Sequence, residues 1–291
     1  MDEIKGENYK VKSYKGEEKM GNEDLMICVA PFPGEKQEEK FPGKMDVAQE
    51  VIDSYNAGAS VAHLHVRDEE GLQTNDLTLF KQQIKKIKSS CNIIIEGSTG
   101  GAPEHTLEQR CVSFLVPEVE MGSLNVGSIN MFEDVYKNPI NDMRFYAREL
   151  KKHNLKPLIF IFDLSHFSGV ERLEKEGLIS PPYVFGFVFD IPDALPYKDK
   201  YLKIFLDEMP SDSVWFLVRH HAKGAKDFEK AFELGGHVRV GYEDGPFLSD
   251  GSRAGSNAHL VEEVAKFAEK AGRKVVDPDR AREIMKIYKK L

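Results

Sequence analysis

A chain of 291 residues, 41% hydrophobic and 30% charged, is long enough to bury a large core and has the composition of a folded, water-facing protein. Its formal net charge of -8 argues against general nucleic-acid binding, which needs a basic surface. Cys28, Cys91 and Cys111, with no C-x-x-C spacing, suit a reducing cytoplasm and argue against a thiolate zinc site, and no run nears the roughly 18 apolar residues of a membrane span.

The first 24 residues, MDEIKGENYKVKSYKGEEKMGNED, are polar and lack an apolar run. They are expected to form an arm rather than a secretory signal, with one domain over residues 25–291. From residue 25 two patterns alternate. Short apolar runs rich in β-branched residues fall at 25–31, 60–66, 92–98, 119–125, 156–163, 183–190, 213–219 and 237–244. Amphipathic stretches follow them, at 45–57, 77–90, 106–115, 139–153, 167–177, 197–208, 225–234 and 256–271. A last helix, 277–291, has Asp277 to cap its N-terminus and basic residues in its final turn. Near-continuous apolar strands separated by helices are parallel strands covered on both faces. Eight such units match an α/β fold of the closed (β/α)8 TIM-barrel type. An open doubly wound sheet is the alternative. The turn after the first strand, APFPGEKQEEKFPGK, lacks the G-x-G-x-x-G phosphate fingerprint of such sheets.

In a barrel of this kind, function sits at the C-terminal ends of the strands. Unusual polar residues gather there. The second run, SVAHLHVRDEEG, puts His63, His65 and Arg67 on one face of a strand, because side chains at i and i+2 point the same way. Catalytic zinc takes about three ligands from His and carboxylate. His63 and His65 supply two. The eighth strand neighbours the first in a closed barrel, as the second does. On it, Arg239, Gly241 and Glu243 share a face, so Glu243 is the candidate third ligand. Asp244 is then the candidate carboxylate left free to take a proton, although Arg239, Glu243 and Asp244 fit a structural ion-pair cluster equally well. In GSTGGA, 97–102, small residues such as Gly100 let a ligand approach the backbone, and Ser98 and Thr99 offer hydroxyls to a carboxylate or phosphate. A plain Gly-rich turn fits the same letters. VRHHAKGAKD, 218–227, reads as a solvated basic loop, with Lys223 and Lys226 able to meet a phosphate. His105, His153, His237 and His259 read as structural or surface residues, and Trp215 as core.

Taken together, NAGASVAHLHVRDEEG, IIIEGSTGGAPEHTLEQR, PEVEMGSLNVGSIN and GGHVRVGYEDG resemble the β-keto acid cleavage enzymes, whose best-known type is 3-keto-5-aminohexanoate cleavage enzyme. The resemblance implies a zinc-dependent (β/α)8 barrel, usually a homotetramer, that takes a β-keto acid and acetyl-CoA and gives acetoacetate and a new acyl-CoA. It implies zinc on His63, His65 and Glu243, and a substrate carboxylate held by Ser98, Thr99 and Gly100. Ser123 matches a substrate-contacting hydroxyl, and Asp163 an acid that reads the substrate's far end. Arg239, Asp244 and Glu35 match the catalytic arginine, the base and an acid after the first strand. The expected chemistry starts with a proton taken from the acetyl-CoA methyl, and the carbanion then adds to the ketone. This chain departs from the family pattern in three places. Gly245 stands where EDN has its Asn, the first loop is short and highly charged, and LVRHHAKGAKD replaces a G-x-G-R segment. A zinc-dependent barrel aldolase or hydrolase that does not use CoA, and a non-catalytic metal-bearing barrel, are the competing readings.

Overall fold

The computed structural model describes residues 23–32, 45–100 and 105–288. Eight parallel strands close into a barrel. They are β1 (Ile27–Val29), β2 (Val61–Leu64), β3 (Ile94–Gly97), β4 (Val119–Asn125), β5 (Lys156–Ile161), β6 (Tyr183–Phe189), β7 (Ser213–Arg219) and β8 (His237–Val240). β8 pairs with β1 through Arg239 opposite Cys28, and this contact closes the ring.

Alternation along each strand sorts the residues into two cores. Met26, Cys28, Val61, Ile94, Met121 and Leu158 fill the barrel interior. Their neighbours Ile27, Val29, Ala62, Leu64 and Ile95 face outward and pack under the helices. Trp215 and Phe187 stack in this outer layer, with ring centroids 5.8 Å apart. His237 is buried, and its Nδ1 accepts from Met26 N at 3.1 Å; burial pushes its pKa down to about 3, as a structural neutral histidine requires.

The helices are α1 (Val47–Asn56), α2 (Thr78–Ser90), α3 (Leu107–Arg110), α4 (Ile140–Lys152), α5 (His166–Lys175), α6 (Asp199–Glu208), α7 (Glu229–Glu233), α8 (Asn257–Lys270) and α9 (Pro278–Met285). Three differ from the sequence expectation. The stretch 106–115 is one α-turn with a Thr106–Gln109 capping box, then the 3-10 turn Val112–Leu115. The stretch 225–234 likewise divides into Ala225–Phe228 and α7. The last helix stops at Met285 because Lys286 takes a left-handed conformation, although Asp277 does cap its start.

Two smaller pairings matter to the site. Asp24–Leu25 pairs in parallel with Lys274–Val275, so the last residue of the expected arm already belongs to the fold. Residues 1–22 lie outside the described residues. After β4, Ile129–Met131 and Asp134–Tyr136 form an antiparallel hairpin that the sequence pattern did not announce.

Candidate active site

β2 delivers His63 and His65 to the barrel mouth. Their Nε2 atoms lie 3.3 Å apart. The two oxygens of Glu243 lie 3.6 Å from them, one from each ring. A zinc ion about 2.0–2.1 Å from tetrahedral ligands would space those ligands by about 3.3–3.4 Å. The three side chains therefore fit a metal ion, and they are the His/Cys/Asp/Glu group among the described residues whose ligand atoms converge in this way.

Glu243 arrives by a route that strand alternation does not describe. β8 ends at Val240, and the chain turns at Gly241, where φ is +145°. A Cβ on Gly241 would stand 2.1 Å from Ala30 O, so both the turn and the close approach demand glycine. Asp244 N and Gly245 N then donate to Gly241 O at 3.0 and 2.9 Å. This turn aims both Glu243 and Asp244 at Arg239. The guanidinium donates to both oxygens of Asp244, at 2.8 and 2.5 Å, and stands 3.4 Å from Glu243.

Sequence reasoning missed Glu96. It sits opposite His63 in the β2–β3 register and is fully buried. Its carboxylate accepts from His63 Nδ1 and, at 2.6 Å, from Ser123 Oγ. The signal was a lone acid inside the apolar run NIIIEGS, a position that needs a partner. With its proton on Nδ1, His63 turns the Nε2 lone pair toward His65 and Glu243. Burial alone would raise the Glu96 carboxyl, but His63 and Ser123 hold it below the usual range. Burial also works against Glu243, which His63, Arg239 and His65 hold well below that range. Glu243 and Asp244 thus share one guanidinium while Glu96 stands behind His63, an excess of negative charge suited to a divalent cation. Replacing Glu96 by Gln is expected to weaken metal binding by about 10- to 100-fold with the barrel still folded. Chelator competition would measure this; an unchanged affinity would show that Glu96 does not set the ring.

A cavity of about 370 Å³ opens beside this centre, a size suited to a small molecule. Ser98, Gly100 and Ser123 line it. A Cβ on Gly100 would meet the His65 ring at 2.8 Å, so glycine is needed here to leave room for that ring. Thr99 is fully buried behind the wall, bonded to Ser123 O and Asn125. Arg67 lines the cavity with its guanidinium 4.4 Å above the Phe32 ring. Asp163 stands outside it. Its carboxylate accepts from the N and Oγ of Ser165, at 2.9 and 2.6 Å, beside a separate surface pocket. Glu35 lies outside the described residues.

The expected basic loop also differs. His220 is no solvated residue: it lines the cavity, with Nε2 3.5 Å from Asp244. Burial holds its pKa below the ordinary value. His221, at φ +59°, turns out to solvent. Gly245 lies against this loop, and a Cβ there would come within 2.8 Å of Ala222 O.

A closed parallel barrel with a histidine–carboxylate centre and a small cavity at its C-terminal strand ends defines an enzyme of the (β/α)8 class. The comparisons narrow this. The sequence profile of the family described as beta-keto acid cleavage enzyme matches residues 25–287, and the chain belongs to that family of acyltransferase-type enzymes. It is 36% identical over 277 residues to 3-keto-5-aminohexanoate cleavage enzyme of Acetoanaerobium sticklandii, covering 92% of this chain and 100% of that one. It is 32% identical over 236 residues to 3-oxoadipate:acetyl-CoA acetyltransferase of Cupriavidus necator, covering 80% and 82%. A solved structure of ObcA with a C4-CoA adduct and oxalate aligns with a TM-score of 0.68 at 15% identity, over 82% of this chain and 66% of that one, a likeness of fold.

Proposed function

We propose that this enzyme condenses a β-keto acid with acetyl-CoA to give acetoacetate and a new acyl-CoA, using zinc held by His63, His65 and Glu243. The observation that carries the reading is the pairing of that convergent centre with Asp244, a buried carboxylate outside the ligand set. The acetyl-CoA acetyltransferase among the relatives supports the co-substrate.

Zinc, when bound, supplies Lewis-acid polarisation of the ketone oxygen. The substrate carboxylate lies against Ser98 and Gly100, with Thr99 and Asn125 bracing that wall and Ser123 behind the ketone. The Asp244–His220 pair takes the proton, and Arg239 fixes the carboxylate that receives it. The proton comes from C2 of the keto acid, which corrects the expectation of the acetyl-CoA methyl. C2 lies between a ketone and a carboxylate, and it is the more acidic carbon once the ketone is polarised. The atom balance also requires it. C2 bonds to the acetyl carbon as the carbon–sulfur bond breaks, releasing CoA thiolate. The thiolate attacks the ketone carbon C3, the C2–C3 bond breaks, and the proton returns to C2. Acetoacetate and the acyl-CoA leave, with no protein nucleophile needed. Cys28, buried in the barrel with its thiol pKa raised by burial, fits that economy.

This reading extends to a homotetramer in the cytoplasm. No helix among the described residues is long and apolar enough to cross a membrane. The test is acetoacetate release by zinc-loaded protein given acetyl-CoA and a panel of β-keto acids. Product that needs both zinc and acetyl-CoA is the expected result. Cleavage of the keto acid without CoA would overturn it in favour of an aldolase or hydrolase.

A further inference from the structure

The side group of the keto acid is a separate question, and the cavity answers it by its asymmetry. Most polar groups belong to one arc, on or just after β2, β3, β4, β7 and β8. The rest of the lining, on β5, β6 and the hairpin, is apolar apart from Tyr136 and Asp134: Phe160 and Phe162 at the end of β5, Val188 on β6, Ile191 just after it, and Met131 and Phe132 from the hairpin. β5 and β6 stand diametrically across the closed ring from β1 and β2. A substrate gripped by its keto acid end at β2 and β3 must therefore point its side group at these six residues.

Two features make the apolar half a built wall. First, strand alternation at the end of β5 puts Phe162 in the cavity and turns Asp163 out to Ser165. The acid that the sequence offered as a reader of a cationic end is thus displaced by an aromatic ring. Second, the hairpin tip is held in an unusual conformation. Phe132 and Glu133 have φ values of +50° and +64°, which non-glycine residues rarely adopt. Phe132 N donates to Pro192 O at 3.2 Å, and Glu133 N to Asp193 Oδ2 at 2.9 Å. The loop after β6 thereby fixes the tip against the cavity. Asp134 is the one acid on this side among the described lining residues; it is exposed at the rim, where water screens it.

We infer that this enzyme takes a β-keto acid whose side group is uncharged and apolar, with Phe132 as a specificity-determining wall. This rests on the reading under Proposed function. It sets the chain apart from the relatives whose names carry an amine or a second carboxylate.

The test separates binding from turnover. 3-Hydroxy acids have no ketone and are not cleaved, so titration calorimetry on the zinc-loaded protein reads the side group alone. 3-Hydroxyhexanoate is expected to bind at least about tenfold more tightly than 6-amino-3-hydroxyhexanoate or 3-hydroxyadipate, since each buried methylene is worth roughly fourfold. Phe132→Ala should weaken 3-hydroxyhexanoate by about tenfold and narrow its lead over the charged members. Phe132→Leu should restore most of that lead, which a merely structural role would not predict. Tighter binding of either charged acid, or no binding of any, overturns the inference. Turnover of the matching 3-keto acids with acetyl-CoA is scored separately: no acetoacetate from any of them sinks the reaction, while the binding order still decides the side group.

Discussion

A Glu243→Gln protein is expected to bind zinc more than about 100-fold more weakly than the parent, and to lose turnover with it. Losing a group that only orients a ligand costs about 10- to 100-fold in metal affinity, so losing a charged ligand costs more. Each Glu243 oxygen faces one histidine Nε2 at 3.6 Å, so the substitution removes the carboxylate edge of the triangle. It also leaves two ring nitrogens 3.3 Å apart with no anion to draw a cation between them. The fold should survive, because Arg239 keeps its two bonds to Asp244. Two measurements read the result. Metal content after dialysis should fall far below one ion per chain. Chelation should lower the melting temperature of the parent and leave that of the variant unmoved, since binding to the folded state is what stabilises it. Full metal retention at parental affinity would remove Glu243 from the ligand set.

The second large effect is expected at Asp244. Asp244→Asn should keep its zinc and lose about 10²- to 10⁴-fold in kcat, the usual contribution of a general base. The side chain is 2% exposed and paired with Arg239, so neutralising it also breaks a buried ion pair, at a cost of about 3–5 kcal/mol in stability. The two effects separate experimentally. Thermal melts give the folded fraction, and metal analysis shows whether the ligand set is intact. A kcat loss far beyond the unfolded fraction, with stoichiometric zinc, supports the proton-transfer role. Parental turnover would end that assignment.

The barrel was legible because its strands are buried on both faces. YVFGFVF and SVWFLVR are apolar almost without interruption, which few other local structures permit. The two histidines could be read for the same reason: His63 is on β2, and the extended chain carries His65, one residue past the strand end, to the same side. Farther past the strand ends that logic fails. The expected strand 237–244 stops at Val240, and the face of Glu243 is set by a turn around Gly241 rather than by counting twos. Asp163 shows the same limit from the other side, because its apolar neighbour Phe162 takes the cavity position. Glu96 escaped because its partner lies 33 residues away, across a strand pair whose register no local pattern gives. The hairpin after β4 escaped because Phe132-Glu133 carries none of the Asn-Gly chemistry that usually marks a left-handed turn.

The contact between Gly245 and the loop after β7 makes two of this chain's departures from its family pattern into one. The Ala222 backbone occupies the space that a side chain at 245 would need, with its O 2.8 Å and its N 3.1 Å from a built Cβ. An asparagine cannot return to position 245 while that loop keeps its course, and the loop could not have taken this course over an asparagine. The constraint runs one way: a side chain at 245 requires the loop to move, whereas the loop can change course over a glycine. His220, at the start of that loop, lines the cavity beside Asp244. A chimera that replaces the segment after β7 is therefore the setting in which asparagine at 245 should be tolerated, and it would give up His220 in the exchange.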